Sequence, residues 1–177
     1  LIIVALGQSM VIITGGIDLS VGSMIGLTAM MVAFFVVAFP GLPAIITLPL
    51  GIAIGAALGS FNGLIIAQFG VPPIIATLGT LSIYRGLVFL YSNGQWINAY
   101  EMPPAFGQLS KGGPVLGIPN LILFAIIVAA GVYYFLNYTR TGRDIYAVGS
   151  NPDAARFAGI PITRITFLVY LITGALC

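Results

Sequence analysis

An all-α polytopic membrane protein is the fold class this sequence predicts, and three observations predict it. Of its 177 residues 59% are hydrophobic and 6% charged, where a soluble domain carries about 25% charged and about 45–50% apolar residues. The excess apolar surface must face lipid. The apolar residues also gather into runs of bilayer length: at about 1.5 Å per residue, a hydrocarbon core about 30 Å thick takes roughly 20 residues. Finally, the breaks between runs carry glycine and proline, which stop helices.

Six spans follow in order: Leu1 to Ile13, Met24 to Phe39, Ala44 to Ala67, Ile74 to Tyr91, Leu121 to Tyr138 and Ile165 to Cys177. The first and last are short and run into the chain ends, so the sequence reads as a fragment cut through two membrane helices. No positive segment precedes Leu1, which argues against a signal peptide. Gly15-Gly16 with Asp18, Pro40-Gly41 with Pro43, and Gly70 with Pro72-Pro73 mark three short connections. Two longer ones, Ser92 to Asn120 and Thr139 to Arg164, are too polar to lie unsatisfied in lipid.

Composition removes several function classes. With no His and one Cys, Cys177, a catalytic imidazole, a Cys/His zinc site and an intrachain disulfide are excluded. A net charge of +2 is too small for a nucleic-acid surface, and no phosphate loop of the form G-x-x-x-x-G-K-[ST] occurs. Nucleotide chemistry is expected on a partner. Arg140, Arg143, Arg156 and Arg164 place four of the six basic residues in one loop, which the positive-inside rule assigns to the cytoplasm. Ser92 to Asn120 then lies outside, with Lys111 its one basic residue, Gln68 to Pro73 inside, Pro40 to Pro43 outside and the Asp18 segment nominally inside.

The third span repeats glycine every four residues at Gly51, Gly55, Gly59 and Gly63, beside Ala56 and Ser60. A face this bare lets another helix approach closely. Internal packing is the plain reading, and a dimer interface or pathway wall is the alternative. Thr14 to Ser23 is polar and holds Asp18, the only charge among the first 39 residues. A carboxylate at the bilayer centre costs about 2.5–3.5 kcal/mol on insertion scales, so Asp18 must face a cavity, a partner or the interface. Either Asp18 or Ser20 caps the next helix, or Asp18, Ser20 and Ser23 belong to a broken helix beside a translocation route. Arg85 follows Thr77, Thr80, Ser82 and Tyr84; it either snorkels to the interface or lines that route. Tyr91, Trp96, Tyr100 and Phe106 suit an interfacial belt, with sugar stacking the alternative.

The inner loop is the most informative. Asn151 is placed to cap a helix, Pro152 to occupy its first position and Asp153 its first turn, while Gly159 and Pro161 end it, giving a helix from about Pro152 to Ala158. A helix this short is marginal alone, so such capping suggests that something docks on it.

Two segments together carry a family resemblance. Gly16-Ile17-Asp18-Leu19-Ser20-Val21-Gly22-Ser23 resembles the signature of ribose-type permease subunits of bacterial ABC sugar importers, the branched inner-membrane permease family, and Asn151 to Pro161 resembles their coupling loop. Arg85-Gly86, Asn93-Gly94, Thr141-Gly142-Arg143 and Tyr146-Ala147-Val148-Gly149 stand in the family's order across the whole chain. Asp153-Ala154-Ala155-Arg156-Phe157-Ala158-Gly159 is similar to the importer motif Glu-Ala-Ala, three residues, Gly, with Asp in place of Glu. The resemblance implies a permease of about ten spans, of which this chain holds the second through the start of the seventh. It also implies a homodimer, a periplasmic sugar-binding protein, and an ATPase that binds ATP and grips Asn151, Pro152, Asp153, Ala154, Ala155, Arg156 and Gly159. The chain itself would bind no cofactor and catalyse no reaction. An ion-coupled transporter using Asp18 is the competing expectation, disfavoured because Asp18 and Arg85 are the only ionisable groups near the bilayer; a membrane enzyme or passive channel finds no nucleophile–base pair or charged ring.

Overall fold

A computed structural model describes residues 1–111 and 117–177, with side chains between Ser110 and residue 116 excepted. Residues 112–116 of the predicted outer loop, and the side chain of Lys111, lie outside the described residues. The described chain is helical throughout its apolar runs: α1 (Ile2–Ile13), α2 (Val21–Ala38), α3 (Thr47–Ala67, entered through a 3-10 turn at Ala44–Ile46), α4 (Pro73–Ser92), α6 (Asn120–Tyr138) and α9 (Ile162–Ala175). Between them lie α5 (Pro104–Lys111), α7 (Arg140–Ser150) and α8 (Pro152–Phe157). Four of the six apolar helices, α2, α3 with its entry turn, α4 and α6, are long and apolar enough to cross a membrane, while α1 and α9 are apolar and shorter.

Helix boundaries follow local chemistry. Pro72 precedes α4, Pro73 opens it, and Asn93, left-handed at φ 50°, closes it with Gly94 at φ 73°. The two long connections are more helical than expected. The outer one contains α5, and the inner one is mostly α7 and α8. Thr139 caps α7 by accepting a hydrogen bond from the Gly142 amide at 3.1 Å, and Ile145 and Val148 bury one side of that amphipathic helix. Its sequence holds too few apolar residues to announce a span and enough, at this spacing, to pack as an interfacial helix.

Packing is tightest between α3 and α9. Gly55, Gly59 and Gly63 face Gly174, Tyr170 and Phe167 in falling order, so the two helices run antiparallel. A Cβ on Gly174 would lie 2.7 Å from the Gly59 Cα, and one on Gly55 would strike the Gly174 carbonyl. Internal helix packing is therefore what the stripe does, against α9 at Gly55, Gly59 and Gly63 and, less tightly, against Val32 and Thr28 of α2 at Gly51. Thr173 ties α9 to α1 by donating to the Gly7 carbonyl at 3.0 Å. The main apolar core, including Met10, Val11, Ile145, Val148, Ala155, Ile165 and Val169, joins α1, α7, α8 and α9 at the end that holds the four arginines. Gly142 and Gly149 are needed there because a Cβ would strike the Phe135 and Leu136 carbonyls in one case and the Ile13 carbonyl in the other.

Candidate functional site

Two groups of residues carry the chemistry, and the fold places them at different depths. The first grows from the break between α1 and α2. Gly15, at φ 78°, lies in the turn that ends α1, and the residues after it are neither helix nor strand up to Ser20, with Ile17 and Leu19 exposed and Asp18 and Ser20 buried. Asp18 is 4% exposed. Its Oδ1 accepts from the Ser20 amide at 2.9 Å and the Ser20 hydroxyl at 2.7 Å. From α3, the Asn62 amide group donates to Ser20 Oγ at 2.8 Å and reaches Asp18 Oδ2 at 3.4 Å. The Tyr84 hydroxyl of α4 donates to the Leu58 carbonyl at 2.8 Å and lies 3.2 Å from Asn62 Oδ1. Thr77 lies 3.3 Å from the Ile17 carbonyl, and Ser23 donates to the Ser20 carbonyl at 2.7 Å.

This knot corrects the capping reading. Neither Asp18 nor Ser20 gives α2 a side-chain cap; the Asp18 carboxylate closes a turn on Ser20, whose hydroxyl is committed to Asp18 and Asn62. Asn62 lies five residues before the end of α3, which puts the knot about 7.5 Å inside that helix end. The Ser20 amide and hydroxyl and the Asn62 amide group donate to the carboxylate, and among the described residues no cationic side chain is one of its partners. Such a cluster fixes the segment between α1 and α2 against α3 and α4.

The sequence-predicted Asp18, Ser20 and Ser23 are therefore together, while Arg85 is not with them. It is exposed on α4 with no hydrogen bond among the described residues. A groove of about 500 Å³ among α1, α2, α3, α5, α6 and the end of α9 is lined mainly by apolar residues and by none of these four. Asn62, Tyr84 and Tyr170 were not singled out as site residues by the sequence. Asn62 had one available signal, as the lone amide side chain within an apolar helix. Tyr170 had none: its hydroxyl is buried without a partner, and a Cβ on Gly16 would lie 2.7 Å from it. Of the outer aromatics, Tyr91 packs edge-on against Phe34 at 5.4 Å, Trp96 and Tyr100 are exposed, and Phe106 sits partly buried beneath the turn between α2 and α3.

The second group is α8. Asn151 caps it as the sequence predicts, accepting from the Ala154 amide at 3.0 Å, and Pro152 opens it. It ends at Phe157, one residue earlier than expected, with Ala158 as the cap and Gly159 at φ 79°. Only Ala155, 3% exposed, packs inward. Asn151, Pro152, Asp153, Ala154, Arg156 and Gly159 all face outward, and Phe157 is 93% exposed. A Cβ on Gly159 would meet nothing within 4 Å, so its glycine is required by backbone conformation alone.

Comparison with known proteins gives these features a family. The chain is 41% identical over 180 residues to the autoinducer 2 import system permease protein LsrC of Enterobacter sp. (strain 638), covering 99% of this chain and 50% of that protein. It is 39% identical over 178 residues to the ribose import permease protein RbsC of Escherichia coli (strain K12), covering 98% and 54%. It is 34% identical over 181 residues to the fructose import permease protein FrcC of Rhizobium meliloti, covering 99% and 50%. The chain thus spans about half the length of these relatives. No solved structure matches it. Residues 1–177 match in full the family described as the branched-chain amino acid transport system / permease component, and with its run of apolar helices the chain belongs to that family of multi-pass membrane permeases.

Proposed function

We infer that the whole protein is the transmembrane permease subunit of an ATP-driven importer for a small sugar, in a bacterial inner membrane. The observation that carries this reading is α8. A six-residue helix, capped at one end and stopped by a left-handed glycine at the other, buries one alanine against the bundle and holds Phe157 out at 93% exposure. An aromatic so placed, on the end with the four arginines, suits insertion into a pocket of another subunit. The partner is an ATPase that binds and hydrolyses ATP, and the contact surface is Asn151, Pro152, Asp153, Ala154, Arg156 and Phe157, with Gly159 fixing the exit angle. Ala155 acts differently, seating α8 on the core so that a push on it moves the bundle.

A small polar solute, with a monosaccharide as the first choice, is supported by the printed names of relatives that import ribose, fructose and autoinducer 2. The family description names branched-chain amino acids, and the similarity to the import permeases is what favours the sugar. A periplasmic binding protein delivers the solute, a second permease copy completes the route, and this chain makes no covalent bond and holds no cofactor. Asp18, Ser20 and Ser23 hold the broken helix beside that route, and Arg85 presents a charge to it or to the interface.

The test is co-purification of the full-length protein with the ATPase subunit encoded beside it, native against Gly159→Arg. The native protein retains the ATPase, and the variant loses it or its stimulation of ATP hydrolysis. A correctly folded native protein that binds no ATPase, and whose uptake instead requires sodium or a proton gradient lost in Asp18→Asn, overturns the importer reading in favour of ion coupling.

A further inference from the structure

Between the end of α3 and the start of α9 lies a cavity of about 160 Å³, well above the roughly 30 Å³ that one water occupies in the liquid. Gly63, Leu64 and Phe167 line it within the apolar helices, and Gln68 and Arg164 line it at their ends. α3 is apolar through Ala67, so Gln68 stands where hydrocarbon gives way to headgroups, at the end of the bundle that holds the four arginines. The Gln68 and Arg164 side chains are exposed, and neither makes a hydrogen bond or ion pair among the described residues.

The chemistry of this lining selects an anion. A guanidinium offers five N–H donors in a planar fork and an amide offers two, while no carboxylate lines the cavity. Arginine matches phosphate oxygens in pairs, so a phosphate is the group these donors fit. A zwitterionic headgroup would bring a cation for which the lining has no acid. Outside the cavity, Leu64 is 44% exposed and Phe61, three residues earlier on the same side of α3, is 45% exposed. That apolar strip suits acyl chains and gives a free anion nothing. We propose that the cavity seats the headgroup of an anionic phospholipid of the inner leaflet, with its phosphate held by Arg164 and Gln68 and its acyl chains along Leu64 and Phe61. Basic pockets between membrane helices on the cytoplasmic side take lipids of this kind. Gln68 caps the end of α3 and Arg164 stands in the first turn of α9, so one headgroup ties the two helices together just beyond Gly63, where their glycine contact ends.

The experiment uses the purified full-length protein in a neutral detergent, titrated with dioleoylphosphatidylglycerol or dioleoylphosphatidylcholine. Native mass spectrometry reads the lipid retained, and the thermal unfolding temperature reads the stabilisation that a bound lipid confers. The native protein retains phosphatidylglycerol in preference and unfolds at a higher temperature with it. Arg164→Gln binds it about fivefold more weakly, the contribution of one arginine at a charged membrane surface, and Arg164→Lys keeps most of the affinity. Leu64→Trp fills the cavity without changing the charge and also loses the lipid, whereas Arg140→Gln, exposed on α7, binds as the native protein does. Equal retention of the two lipids by the native protein, or native affinity in both Arg164→Gln and Leu64→Trp, overturns the proposal. An equal loss in Arg140→Gln shows diffuse attraction to the arginine-bearing end in place of a seat, and displacement of the lipid by millimolar inorganic phosphate shows a free-anion site; either overturns it. Binding is read without an ATPase or a solute, so its failure leaves the proposed function untouched.

Discussion

Asn62 is the side chain on which the buried polar knot turns, because it alone reaches both Ser20 and Asp18 and lies beside Tyr84. Replacing it with alanine removes an amide and leaves a hydroxyl and a carboxylate in an apolar interior, at about 1–3 kcal/mol per unsatisfied group. Asn62→Ala should therefore lower the thermal unfolding temperature of the purified full-length protein by several degrees, whereas Thr163→Ala, exposed and outside the knot, should leave it unchanged; equal melting curves would show that the knot contributes nothing. Gly159 makes a separate demand. At φ 79°, a residue with a Cβ costs about 1–2 kcal/mol although its side chain meets open space. Gly159→Ala should thus weaken ATPase association nearly as much as Gly159→Arg, and a large gap between the two would assign the effect to arginine's bulk or charge instead of to the backbone.

At the scale of elements, the α3–α9 contact and α8 behave in opposite ways. The contact has no room: a Cβ on Gly59 would strike the Tyr170 carbonyl and lie 2.9 Å from the Gly174 Cα. Gly59→Leu must push the helices apart, and overpacking of this kind costs about 1–3 kcal/mol or more. The expected outcome is protein that reaches the membrane poorly and is cleaved by added protease at sites protected in the native form, while Gly79→Leu on α4, where a Cβ meets nothing within 4 Å, is tolerated. α8 has room on every side but one. Its stability depends on the Asn151 cap, worth about 1 kcal/mol, and six residues cannot propagate a helix alone. Asn151→Ala should fray α8, raising amide exchange from Asp153 to Phe157 without altering the unfolding temperature of the bundle, and Asn151→Asp should restore protection.

For the whole molecule, the apolar excess and the glycine and proline breaks were enough to predict an all-helical membrane bundle, because lipid forces every backbone group to be satisfied within a helix. Span positions were legible to within a few residues for the same reason, and α8 was legible to within one because capping is local chemistry. α5 and α7 were not. Their apolar residues are few, and α7 is defined by what it lies on, with Gly142 and Gly149 fitting against the carbonyls of α6 and α1. The sequence marked Asp18 as a charge needing an explanation and Gly55, Gly59 and Gly63 as a bare face. It did not determine that Asn62 and Tyr84 would meet Asp18, that Arg85 would stand apart, that the bare face belongs to α9, or that Tyr170 would be left unpaired beside Gly16. Periodicity and capping act over a few residues and can be read along the chain, whereas these pairings join positions 22 to more than 100 residues apart and exist only once the helices have packed.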